Sequence, residues 1–183
     1  MTPLLLTLTG GAGAGKTTIA AAFDDAVVLH GDDYYVTGRD RGVWIPDRTG
    51  TPRLDVGDPR SIDFGRLTAD TTAALRRHDL VIVEGLFAAR ISPPTPHRRF
   101  GVFVDLAADL RLVRKIQRKC VTGDFPLDVL LANYLDHRRD AHERHVEPMR
   151  DHCDLVVDGS RPAAETAAAI RAECGCANPQ PAI

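Results

Sequence analysis

Residues 3–18 read PLLLTLTGGAGAGKTT: a short apolar run, then four glycines within six residues, then a lysine and two threonines. Gly10 to Thr17 fits GxxxxGK[ST] in full, and the apolar run before it has the length of a buried strand, while Lys16 opens a stretch that reads as a helix. In that setting successive backbone N–H groups can turn inward around phosphate oxygens, and the following helix adds its partial positive charge. Lys16 then reaches the β- and γ-phosphates and the Thr17 hydroxyl completes a Mg2+ shell. The nucleotide-binding segment is therefore Gly10, Gly11, Ala12, Gly13, Ala14, Gly15, Lys16, Thr17 and Thr18.

Outward from this stretch, short apolar runs recur at Ala26 to His30, Leu80 to Val83, Gly101 to Leu106 and Leu155 to Val157. Between them, Lys16 to Phe23, Ser61 to His78, Ala108 to Lys119, Leu127 to Glu147 and Pro162 to Glu173 carry helical patterning, with Ser61, Asp63 and Pro162 as start signals. Strands alternating with helices predict an α/β protein with a parallel sheet. Residues 36–60, rich in Gly, Pro and charge with Trp44 among them, fit neither pattern and read as a long functional loop. Residues 91–97, ISPPTPH, read as a proline-rich connection.

The 183 residues suffice for one sizeable core. Lys and Arg number 23 against 25 Asp and Glu, a net charge of −2, so no global basic field points to nucleic acid. The opening apolar run is far short of the about 20 residues that span a membrane and lacks a basic leader, so a cytoplasmic, non-membrane protein is expected. Cys120, Cys153, Cys174 and Cys176 are irregularly spaced and read as free thiols.

Three fates compete for the γ-phosphate: transfer to a small molecule, a GTPase-type switch, or hydrolysis by a motor or assembly ATPase. A guanine-reading Asn-Lys-x-Asp segment is absent, NYLD at Asn133 lacking the lysine, and LVIVEGLF offers one acid, Glu84, before a glycine where a motor favours an acidic pair. Ligands of open parallel sheets bind beyond the strands' carboxyl ends. Asp32 and Asp33 follow AVVLHG and Glu84 follows LVIV, where a hydroxyl acceptor needs a base and Mg2+ needs oxygen ligands.

GGAGAGKTT, HGDDYY, VIVEG, FVDLAADLRLVRKIQRK and NYLDHRRDAHERHVEPMRDHCDLVVDG in this order resemble the uridine kinase branch of the P-loop kinases, with nicotinamide riboside kinases as near neighbours. The resemblance spans roughly residues 4–160 and implies a P-loop NTPase fold with a five-stranded parallel sheet, flanking helices and a mobile lid. It also implies ATP and Mg2+ as cofactors and the 5′-hydroxyl of a nucleoside as acceptor. By resemblance Asp32 is the base and helps hold the metal's waters, Tyr34 and Tyr35 line the acceptor pocket, and Glu84 is the carboxylate near Mg2+.

Within RLDVGDPRSIDFGRL, Pro59 and Asp63 align with the family's Pro and second Asp, which leaves Asp55 and Asp58 competing for the sugar hydroxyls, Asp58 preferred. Arg111, Arg114 or Lys115, and Arg118 share one helical face leading into CVTGDFP, a lid-like turn, so Arg118 first and Arg114 second are expected on the transferring phosphoryl group. Thr122, Gly123 and Asp124 stand where the family carries an Arg-Gly-x-Arg-like segment; Arg138, Arg139, Arg144 and His145 are the available replacement charge. Trp44 either stacks on a planar base or anchors its loop. The expected layout is one kinase domain over residues 1–175, acceptor-side loop 36–60, lid 119–127 and a flexible tail 176–183, binding a small-molecule acceptor, with a homo-oligomer possible. Kinases of other metabolites, such as nicotinamide riboside or pantothenate, and a non-kinase ATP-binding regulatory or assembly ATPase are the alternatives.

Overall fold

The computed structural model describes residues 2–176; the expected tail, from residue 177 on, lies outside them. Seven strands and six α-helices are seen there: β1 (Leu4–Thr9), α1 (Lys16–Ala20), β2 (Val27–His30), β3 (Trp44–Pro46), β4 (Pro52–Leu54), α2 (Phe64–Leu75), β5 (Leu80–Gly85), β6 (Arg98–Asp105), α3 (Ala108–Ile116), α4 (Leu127–Asn133), α5 (Arg139–His145), β7 (Leu155–Asp158) and α6 (Ala163–Cys174).

Five strands form one parallel sheet in the order β2-β5-β1-β6-β7, so β1 is central and carries its glycine-rich continuation into the middle of the sheet's carboxyl edge. Alternation along β1 splits the core. Leu4, Leu6 and Leu8 face a cluster with Ile19, Phe23 and Ile170, whereas Leu5 faces one with Leu67, Phe103 and Met149 on the other side. Leu5, Leu6 and Leu8 are wholly buried, each contributing on the order of 1.5–3 kcal/mol. Both faces being covered, these strands read as continuous apolar runs.

Asp63 caps α2 by accepting from the Arg66 backbone N–H at 3.0 Å, as its place in the sequence suggests. Three readings need correction. Residues 36–60 are not one open loop: β3 and β4 pair antiparallel within them, Trp44 opposite Leu54. Thr49 and Thr51 close the turn on the Asp47 carboxylate, a side-chain device that apolar periodicity does not reveal. The stretches 108–119 and 127–147 are not uninterrupted helices either, since π-helical turns at Gln117–Val121 and Tyr134–Arg138 break them and a 3₁₀ turn runs from Glu147 to His152. Finally, α1 stops at Ala20, short of Phe23.

Candidate active site

The glycine-rich loop must bend sharply between β1 and α1, and Gly13 and Gly15 do so at φ +88° and +105°. A Cβ on Gly13 would sit 2.6 Å from the Arg111 carbonyl oxygen, so the loop rests directly on α3. Lys16 folds back over the loop, its Nζ donating to the Gly11 carbonyl at 3.0 Å. Burial pushes the Lys16 ammonium below its ordinary pKa, and the nearby Glu84 and Asp32 carboxylates oppose that shift.

Glu84 ends β5 beside β1 and is 6% exposed. Its Oε1 accepts from the Thr17 hydroxyl at 3.0 Å and lies 2.9 Å from His30 Nδ1. Asp32, two residues past the end of β2 in a short 3₁₀ turn, lines the same cavity, of about 590 Å³, as Lys16, Thr17 and Glu84. Tyr35, Val56, Arg114, Lys115, Arg118 and Gly159 complete much of its wall.

The cationic helix face divides by partner. Arg114 donates to the Gly159 carbonyl at 2.9 Å and leans on Gly13, tying the loop to the segment after β7. Among the described residues, Arg118 and Lys115 have no hydrogen-bonded or ion-paired side-chain partner, and both face the cavity. Burial depresses the Lys115 pKa, and the neighbouring Arg138, Arg118 and Lys119 depress it further. Spacing on α3 left Lys115 and Arg114 interchangeable; only the helix's rotation against the loop separates them.

The remaining candidates scatter. Tyr35 stays at the cavity, its hydroxyl donating to the Val56 carbonyl at 3.0 Å, and burial raises its pKa. Tyr34 turns away into the core and donates to Asp70 on α2 at 2.9 Å; burial, then this carboxylate, push its pKa up to about 12. Trp44 does not line the cavity: its Nε1 donates to the Arg41 carbonyl at 2.8 Å, closing its own loop. Asp58 is buried, caps the next 3₁₀ turn and holds Arg60 at 2.7 Å, whereas Asp55 pairs with Arg138 across from α5. Arg138 belongs to a second cavity of about 140 Å³ beneath Val56 and Leu86, lined also by Arg111, Tyr134 and His142. His30 and His142 were missed in the sequence; for His30 the signal was its place at the end of a strand, next to the acids.

Thr17, Glu84 and Asp32 offer hard oxygen atoms, the donors Mg2+ takes. Mg2+ usually keeps waters and phosphate oxygens and needs few protein ligands, so this set fits the ion although no cluster of three His, Cys, Asp or Glu suited to hold a metal occurs among the described residues.

A family model for the Phosphoribulokinase / Uridine kinase family matches residues 48–166, more than half of the chain. The chain belongs to this family. It is an ATP-dependent phosphotransferase acting on a hydroxyl group of a small molecule. A uridine kinase from Staphylococcus epidermidis is 26% identical over 179 residues, covering 84% of this chain and 86% of that protein. A uridine kinase from Halobacterium salinarum is 26% identical, with 82% and 77% covered. Among solved structures, a sugar kinase from Janibacter has a TM-score of 0.61 at 18% identity, covering 97% of this kinase and 96% of that chain. A gluconokinase from Sinorhizobium meliloti has a TM-score of 0.57 at 17% identity, with 95% and 93% covered. These two likenesses concern the fold, that of the P-loop kinases. No helix among the described residues of the kinase is long and apolar enough to cross a membrane.

Proposed function

We propose that this kinase transfers the γ-phosphate of ATP, bound with Mg2+, to the 5′-hydroxyl of a nucleoside of the uridine or cytidine kind. The observation that carries the reading is the convergence of Asp32, Lys16, Glu84 and the unpartnered Arg118 on one cavity. Asp32 orients the acceptor hydroxyl and takes its proton, an effect typically worth about 10²–10⁴-fold. Lys16 and Arg118, joined by Lys115, neutralise charge on the transferring group. Thr17 and Glu84 would hold Mg2+, which would offset the negative charge of the phosphates. Arg114 supports the loop through Gly159 rather than meeting the phosphoryl group.

The acceptor reaches from the first cavity, walled by Tyr35, into the second between Val56 and α5, where Tyr134 and Leu86 offer apolar surface; Asp55, next to Val56 and bonded to the lining Arg138, supplies a carboxylate for sugar hydroxyls. Asp55 takes that role over Asp58: both Asp58 oxygens are bonded to Arg60, whereas Asp55 bonds Arg138 and Gly57 through Oδ1 and its Oδ2 accepts no hydrogen bond among the described residues. The uridine kinases among the relatives support the nucleoside. A different hydroxyl-bearing metabolite is favoured by one observation: Arg111, Lys115, Arg138 and Arg139 outnumber Glu143 in the lining of this second cavity and make it net cationic, which suits an acceptor carrying its own negative charge. The protein works in the cytoplasm.

ADP release measured with ATP and Mg2+ across nucleosides, sugars, sugar acids and vitamins decides among these. Turnover with uridine or cytidine is expected. Turnover confined to acidic acceptors replaces the nucleoside reading, and ADP release indifferent to every acceptor overturns the assignment of this site to hydroxyl transfer.

A further inference from the structure

We propose that His30 is the positioning residue of the metal-side carboxylate, fixing Glu84 so that Glu84 in turn fixes the Thr17 hydroxyl. The inference rests on the reading of the glycine-rich loop as a Mg2+–nucleotide site. The parallel register of β2 and β5 places His30 directly beside Glu84, both at the carboxyl end of the sheet. A carboxylate oxygen accepts and does not donate, so of the two groups on Oε1, the imidazole presents Nδ1–H and the threonine its hydroxyl hydrogen. With its hydrogen committed to Oε1, the Thr17 oxygen keeps its lone pairs for a cation, and the other Glu84 oxygen accepts no hydrogen bond among the described residues.

Without His30 the Glu84 side chain would keep one side-chain donor, and that donor is the group it has to orient. Broad rotation about the last torsion of a glutamate makes a single anchor a weak one. Outer partners of this kind orient metal ligands, and their loss typically costs 10–100-fold in metal affinity. The His30 side chain is 43% exposed at the edge strand, so replacing it removes little packing.

Binding of a fluorescent ATP analogue, read by anisotropy in Mg2+ and again in EDTA, tests this without catalysis. His30→Ala is expected to weaken Mg2+-supported binding about tenfold while binding in EDTA stays within about twofold of the parent. An asparagine amide nitrogen falls near the place of Nδ1 and a glutamine's near that of Nε2, so His30→Asn is expected to restore most of the loss and His30→Gln little of it. An unchanged Mg2+ gain in His30→Ala, an equal loss with and without Mg2+, or rescue by Gln as good as by Asn would overturn the role of His30. A parent protein that gains nothing from Mg2+ would instead overturn the nucleotide-site reading beneath it.

Discussion

On the proposed phosphate side of the cavity, Lys16 and Thr17 open α1 after the glycine-rich loop that leaves β1, Glu84 lies at the carboxyl end of β5, and they bond to one another or to loop backbone. On the acceptor side, Asp55, Val56 and Gly57 follow a two-stranded hairpin that side chains hold against the helices: Arg48 to Asp136 at 2.8 Å, and Asp55 to Arg138. The first half is fixed by strand register and glycine geometry, the second by ion pairs reaching more than 80 residues along the chain. The proposed catalytic residues are held by the sheet and resist rearrangement, whereas the proposed acceptor wall, held by charge pairs, can be re-tuned with the core untouched.

Asp32 stands where the halves meet, and Asp32→Asn gives the largest effect: acceptor-dependent turnover should fall about 10²–10⁴-fold with nucleotide affinity retained. Rate and nucleotide affinity falling together would place Asp32 wholly on the phosphate side. Gly13→Ala strikes that side alone. Its backbone at φ +88° and the approach to the Arg111 carbonyl predict about 1–3 kcal/mol lost in a denaturant titration, with nucleotide binding impaired. Arg138→Leu, on the acceptor side, leaves the largely buried Asp55 carboxylate unpaired. The KM for acceptor should rise roughly tenfold while the KM for ATP holds, the split expected when acceptor binding alone is lost. An equal rise in both would erase the distinction between the halves.

Smaller effects sharpen the comparison. Arg48 and Asp136 are exposed, so Arg48→Ala should leave the melting temperature nearly unchanged and move the acceptor KM only slightly. Arg60 beside Asp58 holds that carboxyl below its ordinary value of 3.8. The stability this lends is present above the unfolded-state pKa and is lost as the pH falls through the folded one. Below about pH 4 the parent's melting temperature should therefore drop more steeply than that of Asp58→Asn.

The sheet and the glycine-rich loop were legible because β1, β5 and the loop announce themselves locally, by apolar runs and by residues that only a tight turn requires. Glu84 and the pair Asp32 and Asp33 followed from strand ends, and the family resemblance chose Asp32 between the two. The hairpin was hidden because its strands have three residues each and its turn is closed by Asp47 side-chain bonds. Tyr34 and Tyr35 are adjacent in sequence yet point to core and cavity, and Asp55 and Asp58 differ only in which arginine reaches them. Arg114 and Lys115 were separable only once α3 was docked on the loop. These choices depend on packing between distant segments, which spacing along one chain does not encode.

The most direct test follows the phosphoryl group itself: ATP labelled at the γ-phosphate is incubated with the kinase, Mg2+ and a nucleoside, and the label is traced. The account predicts label esterified to the acceptor hydroxyl in the parent and almost none there in Asp32→Asn. Label released as inorganic phosphate at the same rate with or without any acceptor would contradict it.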